Sequence, residues 1–300
     1  MILLDKPLIS DFVKDSIRQN IFQALDTGNV IPAGELDTID ESDLIAAFRK
    51  DPHRRLHSTS ENAISWIEEN LGFTHLPEKI ELFKNKFKFR ELTKDLFPDL
   101  FYREIKTSNL DQLDVEKLPF PFIIKPNIGF FSMGVHKVLS LSSWKEVKVK
   151  IQSQINQMQS VYPKSVLDTR SFIIEEVIEG EEYAFDAYFD EKGEAVLLGV
   201  MKHVFAGEED VSDRLYMTSS DIVRSQQNAF DTLLKEIGTR ALLKNFSLHV
   251  EVRINEAGVP IPIEVNPLRF GAWCTSADLM HYAFGFNPYH YYINGLKPDW

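Results

Sequence analysis

The 300-residue chain has a single cysteine, Cys274. That excludes an intrachain disulfide and any cysteine-rich metal site, and it suits a reducing compartment. Positive charge is scarce too: 33 lysines and arginines stand against 45 aspartates and glutamates, a formal net charge of −12. Basic residues gather only in short patches such as "KNKFKFR", without the basic stripe of a nucleic-acid binder. No apolar run approaches the roughly 18 residues that span a bilayer. "MILLDKPLIS" lacks the basic region and long apolar stretch of a secretory leader. The expectation is a soluble, cytoplasmic protein with no nucleic-acid or membrane partner. No glycine-rich turn follows the first apolar triplet, Ile2-Leu3-Leu4, so a dinucleotide site of the Rossmann type is not supported. Internal repeats and low-complexity segments are likewise missing.

A hydrophobic content of 44% with 26% charged residues is that of a globular protein, long enough for two domains or one large one. Residues 1–80 read as a small α/β unit. It has a strand at 2–4, a helix over 11–25 with Phe12, Ile17, Ile21 and Leu25 inward, a second strand at Val30-Ile31, and a helix over 60–71 capped by Ser60. From about 76 the pattern gives one helix through "LPEKIELFKNKFKFRELTKDLF", a strand in "PFPFIIK", and an amphipathic helix near 142–160. Strands follow in "RSFIIEEVIEG", "EEYAFDAYFD" and "EAVLLGVMKHVF", then a helix over 221–245. Long helices mixed with strands indicate α/β or α+β architecture.

The stretch 249–266, "HVEVRINEAGVPIPIEVN", has the alternation and glycine-bearing tip of a β-hairpin. With the tip at Ala257-Gly258, Glu251 lies directly opposite Glu264. Val250, Val252, Ile254, Ile261, Ile263 and Val265 then share one apolar face. Like charges facing each other across a strand pair are destabilising. Two readings remove the conflict. In one, Glu251, Glu264 and the Asn266 amide form a hard-oxygen site for Mg²⁺, which commonly shares its remaining positions with substrate phosphates. In the other, Arg253 and His249 offset the glutamates on a solvated sheet face.

Two further segments bear on the choice. Lys125 ends an apolar strand and precedes a loop with Gly129, Ser132 and Gly134, whose N–H groups could cradle phosphates while the lysine leans over them; a strand-end lysine that simply reaches solvent is the alternative. Lys86 stands near a helix start, on what otherwise reads as a solvated basic face. The segment "FIIEEVIEGEEYAFDAYF" breaks at Glu179-Gly180 and places Glu175, Glu176 and Glu182 around a turn that is either an acidic surface feature or a nucleotide-binding hinge.

In order, these pieces resemble the ATP-grasp superfamily of carboxylate–amine ligases, which includes D-alanine–D-alanine ligase, biotin carboxylase and carbamoyl-phosphate synthetase. The carrying motifs are Asn85-Lys86, Lys125 with the 127–135 loop, Glu175 to Glu182, and Glu251 with Glu264-Val265-Asn266. The resemblance covers roughly 80–270. It implies an ATP-grasp fold, with the nucleotide held between two α+β subdomains after a short N-terminal α/β (pre-ATP-grasp) domain. The implied bounds are 1–80 for that domain, 81–178 for the lid subdomain, and 179–300 for the C-terminal subdomain with the metal site.

The resemblance also implies roles. Lys86, Lys125, Ser132 and Gly134 would contact ATP phosphates. Glu175 and the backbones of Glu176 and Ile178 would form the adenine hinge, and Glu182 would take the ribose. Glu251, Glu264 and Asn266 would hold Mg²⁺, or Mn²⁺ in its place. Arg214, Arg269 and Lys202 are the implied catalytic cations, with His203 beside Lys202, and His249 occupies a position where some members have an arginine. A small-molecule carboxylate would be activated as an acyl phosphate and joined to an amine, releasing ADP and phosphate. A phosphotransferase and a non-catalytic Mg-ATP-binding regulator are the competing classes. Two departures stand out: Phe130 and Phe131 replace small residues in the loop, and "NPLR" puts Arg269 one place later than the usual "NPR". The aromatic tail after 270 is compatible with a homodimer.

Overall fold

A computed structural model of the chain describes residues 1–129, 134–158, 168–205 and 215–300. Phe130, Phe131, Ser132 and Arg214 therefore lie outside the described residues. In chain order the elements are β1 (Ile2–Leu4), α1 (Asp11–Arg18), β2 (Ala24–Asp26), α2 (Glu41–Lys50), β3 (His57–Ser58), α3 (Ile64–Asn70), α4 (Leu76–Lys84), α5 (Lys86–Thr93) and β4 (Tyr102–Lys106). There follow β5 (Phe122–Ile128), β6 (His136–Val138), α6 (Leu141–Met158), β7 (Asp168–Glu176), β8 (Glu181–Phe189), β9 (Ala195–His203) and β10 (Tyr216–Met217). The chain continues through α7 (Ser220–Ala241), β11 (Phe246–Ile254), β12 (Pro260–Pro267), α8 (Thr275–Phe284) and α9 (Pro288–Asn294).

The described residues form two compact units, one from the described parts of 1–80, 180–204 and 215–300, the other from the described parts of 81–179 with Phe205. In the first, a parallel sheet of order β2-β1-β3 accompanies an antiparallel sheet of order β10-β9-β8-β11-β12. One core joins them: Ile2, Leu4 and Val13 pack in the same buried cluster as Tyr188, Phe270, Tyr289 and Tyr292. The second unit is built on an antiparallel sheet of order β4-β7-β5-β6, and α6 contributes Trp144, Val147 and Ile151 to its core. The architecture is the mixed α/β and α+β fold read from the sequence. Among the described residues no helix is long and apolar enough to cross a membrane.

Several local expectations change. The helix expected over 11–25 stops at Arg18, where Asn20 turns into the left-handed region (φ 55°), a conformation that asparagine tolerates. The chain then re-enters as β2, which pairs with β1 at Ala24–Asp26, so the second strand is there and not at Val30-Ile31. The single helix expected from 76 onward is two: Asn85 is extended (φ −83°, ψ 101°), and its side-chain oxygen accepts the Lys88 N–H at 3.1 Å. It ends α4 and caps α5. Ser60 does cap the next turn, accepting from Asn62 N–H, and the regular helix follows at Ile64.

The 249–266 hairpin forms with Glu251 opposite Glu264 and His249 opposite Asn266. A bulge between Glu251 and Val252 shifts the register, so that Val252 faces Pro262 and Arg253 faces Ile261. An extra residue reverses side-chain alternation beyond it. The apolar face is accordingly shorter than expected: Val250, Val252 and Val265 are buried, while Ile254, Ile261 and Ile263 are half-buried. The β7–β8 turn depends on Gly180 (φ 122°), because a Cβ there would sit 1.9 Å from the Ile254 carbonyl oxygen.

Cys274 lies in the core of the first unit, 3.7 Å from His57 Nε2, and His57 Nδ1 is 2.9 Å from the Ser247 hydroxyl. A thiol beside an imidazole suggests a nucleophile, but burial pushes the thiol up to about 12 and lowers His57 well below its ordinary value. Cys274 should therefore fail to react with a thiol reagent at pH 8 in native protein and react fully in denaturant. Rapid labelling of the folded chain would contradict that environment.

Candidate functional site

In the second unit, buried cations surround one carboxylate. Lys86, in the first turn of α5, and Lys84, at the end of α4, each donate Nζ to the Gly129 carbonyl at 3.3 Å. Lys125, on β5, reaches Glu175 Oε2 at 2.7 Å, and Arg90, one helical turn beyond Lys86, donates Nε to Glu175 Oε1. Lys84, Lys86, Arg90, Lys125 and Glu175 are all buried. Lys125 and Glu175 share a sheet face because Lys125 is registered with Ile173, two residues from Glu175. Burial opposes the Glu175 charge, but Arg90 and Lys125 outweigh it and hold the carboxyl at about 2. Burial, with Lys86 and Arg90 close by, pulls the Lys125 ammonium below its ordinary range despite Glu175. Gathering cations this way creates a region suited to a polyanion. Gly134 stands in the left-handed region at φ 72°. The Glu176 N–H is already given to the Phe101 carbonyl at 3.1 Å.

In the first unit, three rows of side chains run across β8, β11 and β12. Asp186, His249 and Asn266 form one row; Ala184, Glu251 and Glu264 the next; Glu182 and Arg253 the third. Arg253 donates from Nε and Nη2 to Glu182 Oε2, both at 2.9 Å, while His203 Nδ1 is 2.8 Å from Glu182 Oε1. His249 Nδ1 is 2.8 Å from Asp186 and its Nε2 is 3.6 Å from Glu251 Oε1. Burial opposes the charged imidazole, yet the Asp186 and Glu251 carboxylates raise it to about 9. Leaving His203 aside, four carboxylates and two cations meet on this face among the described residues.

Asn266 is 1% exposed, and its Oδ1 has no hydrogen-bond partner. Leaving a buried acceptor unmade costs about 1–3 kcal/mol. An oxygen-preferring cation would satisfy it, and the donor set of two carboxylates and an amide oxygen fits Mg²⁺. Among the described residues no group of three His, Cys, Asp or Glu side chains forms a protein-only metal cage. A site sharing its ion with a phosphate ligand needs none.

Two expected cations stand elsewhere. Lys202 is registered with Tyr183, hence on the opposite sheet face from Glu182, Glu251 and Glu264, and pairs with Glu181. Its neighbour His203 is the residue that reaches Glu182. Arg269 is buried, donating Nε to Glu61 at 3.0 Å and Nη1 to the Phe270 carbonyl at 3.0 Å. Sequence reading missed Lys84, Arg90 and Asp186. The i, i+4 spacing of Lys86 and Arg90, and the period of two from Glu182 to Asp186, were the available signals.

The ATP-grasp domain model matches residues 118–277, more than half of the chain. The chain belongs to the ATP-grasp family. Similar solved structures include L-amino acid ligase from Bacillus licheniformis, with a TM-score of 0.65 and 18% identity over 95% of this chain and 71% of that one. The biotin carboxylase domain of Hydrogenobacter thermophilus 2-oxoglutarate carboxylase superposes with a TM-score of 0.66 and 13% identity, over 100% of this chain and 70% of that one. Phosphoribosylamine–glycine ligase from Thermotoga maritima gives 0.65 and 15%, over 99% and 76%. At these identities the likeness is one of fold. No curated protein sequence matches the chain.

Glu175 supplies a test of the cation cluster. Held at about 2 against an ordinary 4.5, it contributes stability that is fully present above pH 4.5 and fades as pH falls towards 2. Glu175→Gln should lower the unfolding free energy at pH 7 by about 3–5 kcal/mol and flatten the acid limb of the stability profile. An unchanged denaturant midpoint at pH 7 contradicts the assignment.

Proposed function

We propose that the protein is an ATP- and Mg²⁺-dependent ligase that joins a small-molecule carboxylate to an amine, releasing ADP and phosphate. The observation that carries this reading is the β11–β12 row: Glu251 directly opposite Glu264, beside a buried Asn266 oxygen without a partner. A sheet keeps such a row at a cost unless a cation belongs there. Family membership supplies the chemistry that fits it.

In this reading Glu251, Glu264 and Asn266 hold the ion, which when bound would neutralise charge on the phosphates. Lys86 and Lys125 bind phosphate oxygens, with Lys84 and Arg90 adding positive field, and Ser132 and Gly134 belong to the loop that covers them. Glu175 keeps Lys125 and Arg90 in place. The Glu176–Ile178 backbone takes the adenine, although the Glu176 N–H is already given to the Phe101 carbonyl. Glu182, with its carboxylate aligned by Arg253 and His203, accepts from the ribose. Arg214 would face the transferring phosphoryl group. Arg269 braces the segment after β12 against Glu61, and Lys202 has no part in the reaction.

The reaction balances in two steps. A substrate carboxylate oxygen attacks the γ-phosphorus, the bond to the β-phosphate oxygen breaks, and ADP leaves. The amine nitrogen then attacks the acyl carbon, the carbon–oxygen bond breaks, and phosphate leaves as the nitrogen gives up its proton. Water must be excluded while the acyl phosphate exists.

Incubation with Mg-ATP and a fractionated metabolite pool should yield ADP and phosphate in equal amounts, together with a condensed mass. ADP with a phosphorylated product and no free phosphate would make the enzyme a phosphotransferase. Mg-ATP binding without turnover in any fraction would make it a regulator. Glu264→Gln should remove Mg²⁺-dependent nucleotide affinity while leaving the fold intact, with a thermal midpoint no lower than that of the wild type because the like-charge contact is relieved. Retained affinity in that variant would discard the metal assignment.

A further inference from the structure

The row next to the opposed glutamates contains a buried carboxylate that contacts neither of them. Asp186, on β8, is 1% exposed and accepts hydrogen bonds from the Gly271 N–H at 3.0 Å, from the Ser276 hydroxyl and from His249 Nδ1 at 2.8 Å. Two of these donors come from the stretch that joins β12 to the first turn of α8. Since a carboxylate accepts, Nδ1 carries a proton, and the ring's orientation is set by the Asp186 contact. That leaves Nε2 facing Glu251 Oε1 at 3.6 Å.

The ring also has a wall. A Cβ on Gly271 would lie 2.4 Å from His249 Cε1 and 2.8 Å from its Nδ1. Gly271 is not among the glycines with positive φ. Its missing side chain is thus explained by room for the imidazole and not by the backbone. A glycine held open for a ring, and a carboxylate with three donors aimed at that ring, together fix one side chain against one oxygen of Glu251.

We infer that His249 is a positioning residue, held by Asp186 and walled by Gly271, which engages Glu251 Oε1 so that Oε2 is presented to a divalent cation. The inference rests on the proposed Mg-nucleotide site, whose ligand it orients. A charge triad that only stabilised the sheet would give the same contacts in a folded protein but would have no effect on metal affinity. Partners of metal-binding carboxylates characteristically change affinity by about 10–100-fold when removed.

The probes are Mn²⁺ and ADP, titrated calorimetrically against the full chain with metal present and again with chelator. His249→Leu should weaken metal-dependent ADP binding by about 10–100-fold and leave ADP affinity in chelator unchanged. His249→Gln, which keeps a donor, should recover part of the loss. Gly271→Ala, which removes no polar group and displaces the ring, should reproduce the loss, and it carries the test if His249→Leu fails to fold. A folded His249→Leu with wild-type Mn-ADP affinity overturns the inference, as does equal weakening with and without metal. Wild-type protein whose ADP binding ignores Mn²⁺ would overturn the metal site itself, and this inference with it.

Discussion

Two carboxylates facing each other across neighbouring strands repel by an amount that a sheet cannot ignore: unit charges about 4 Å apart interact by about 4 kcal/mol at the effective dielectric of a protein surface. The pattern around Glu251 and Glu264 follows from that repulsion. His249 and Arg253 flank Glu251 two residues away on the same strand face, and each cation is in turn tied to a carboxylate of β8, Asp186 or Glu182. The sign alternates along β11, from His249 through Glu251 to Arg253, whereas across the strand pair Glu251 and Glu264 still face each other. Such a lattice spreads the cost without cancelling it, because the cations are partly engaged by β8. Beside this row lies the buried Asn266 oxygen, which has no hydrogen-bond partner among the described residues.

The second unit shows the opposite arrangement. There, among the described residues, Glu175 sits between Arg90 and Lys125, with Lys84 and Lys86 both turned to the Gly129 carbonyl. A net charge of −12 says nothing about this, since the bulk of the acidic side chains lie on exposed surface. Specific binding follows where charge is buried and held, and overall balance governs solubility instead.

Part of this arrangement is legible in the sequence. The Glu251–Glu264 opposition followed from strand alternation and one turn signal, because a period of two leaves little freedom once the tip is placed. The apolar run before Lys125 was legible as a strand, but β5 continues through Ile128 and so holds Lys125 in its interior and not at its end. The break at Asn85, inside what reads as one continuous helical pattern, was not legible from periodicity. What escaped was tertiary. The bulge after Glu251 has no sequence mark: it leaves Ile263 unpaired in the ladder and puts Ile261 opposite Arg253, away from the apolar face expected for it. Lys202 and His203 are adjacent and point to opposite faces of β9, and only the pairing of Lys202 with Tyr183 decides which of them reaches Glu182. Arg269 carries an ion pair to Glu61, 208 positions away in sequence, beyond the reach of local pattern. Helix α2 carries a local signal as well, since Leu44 and Phe48 are buried at helical spacing.

The break at Asn85 has a consequence for anyone improving the protein's robustness. In an uninterrupted helix, residues 84 and 86 would point about 200° apart around the axis. Here one extended residue resets the phase, so two ammonium groups from separate helices converge on one carbonyl oxygen. Replacing Asn85 by a strong helix former would fuse α4 with α5 and raise helical content, and by every measure of local propensity would be an improvement. It would also turn Lys86 away from Lys84. At this position the discontinuity is the useful property, and optimisation for rigidity alone would erase it.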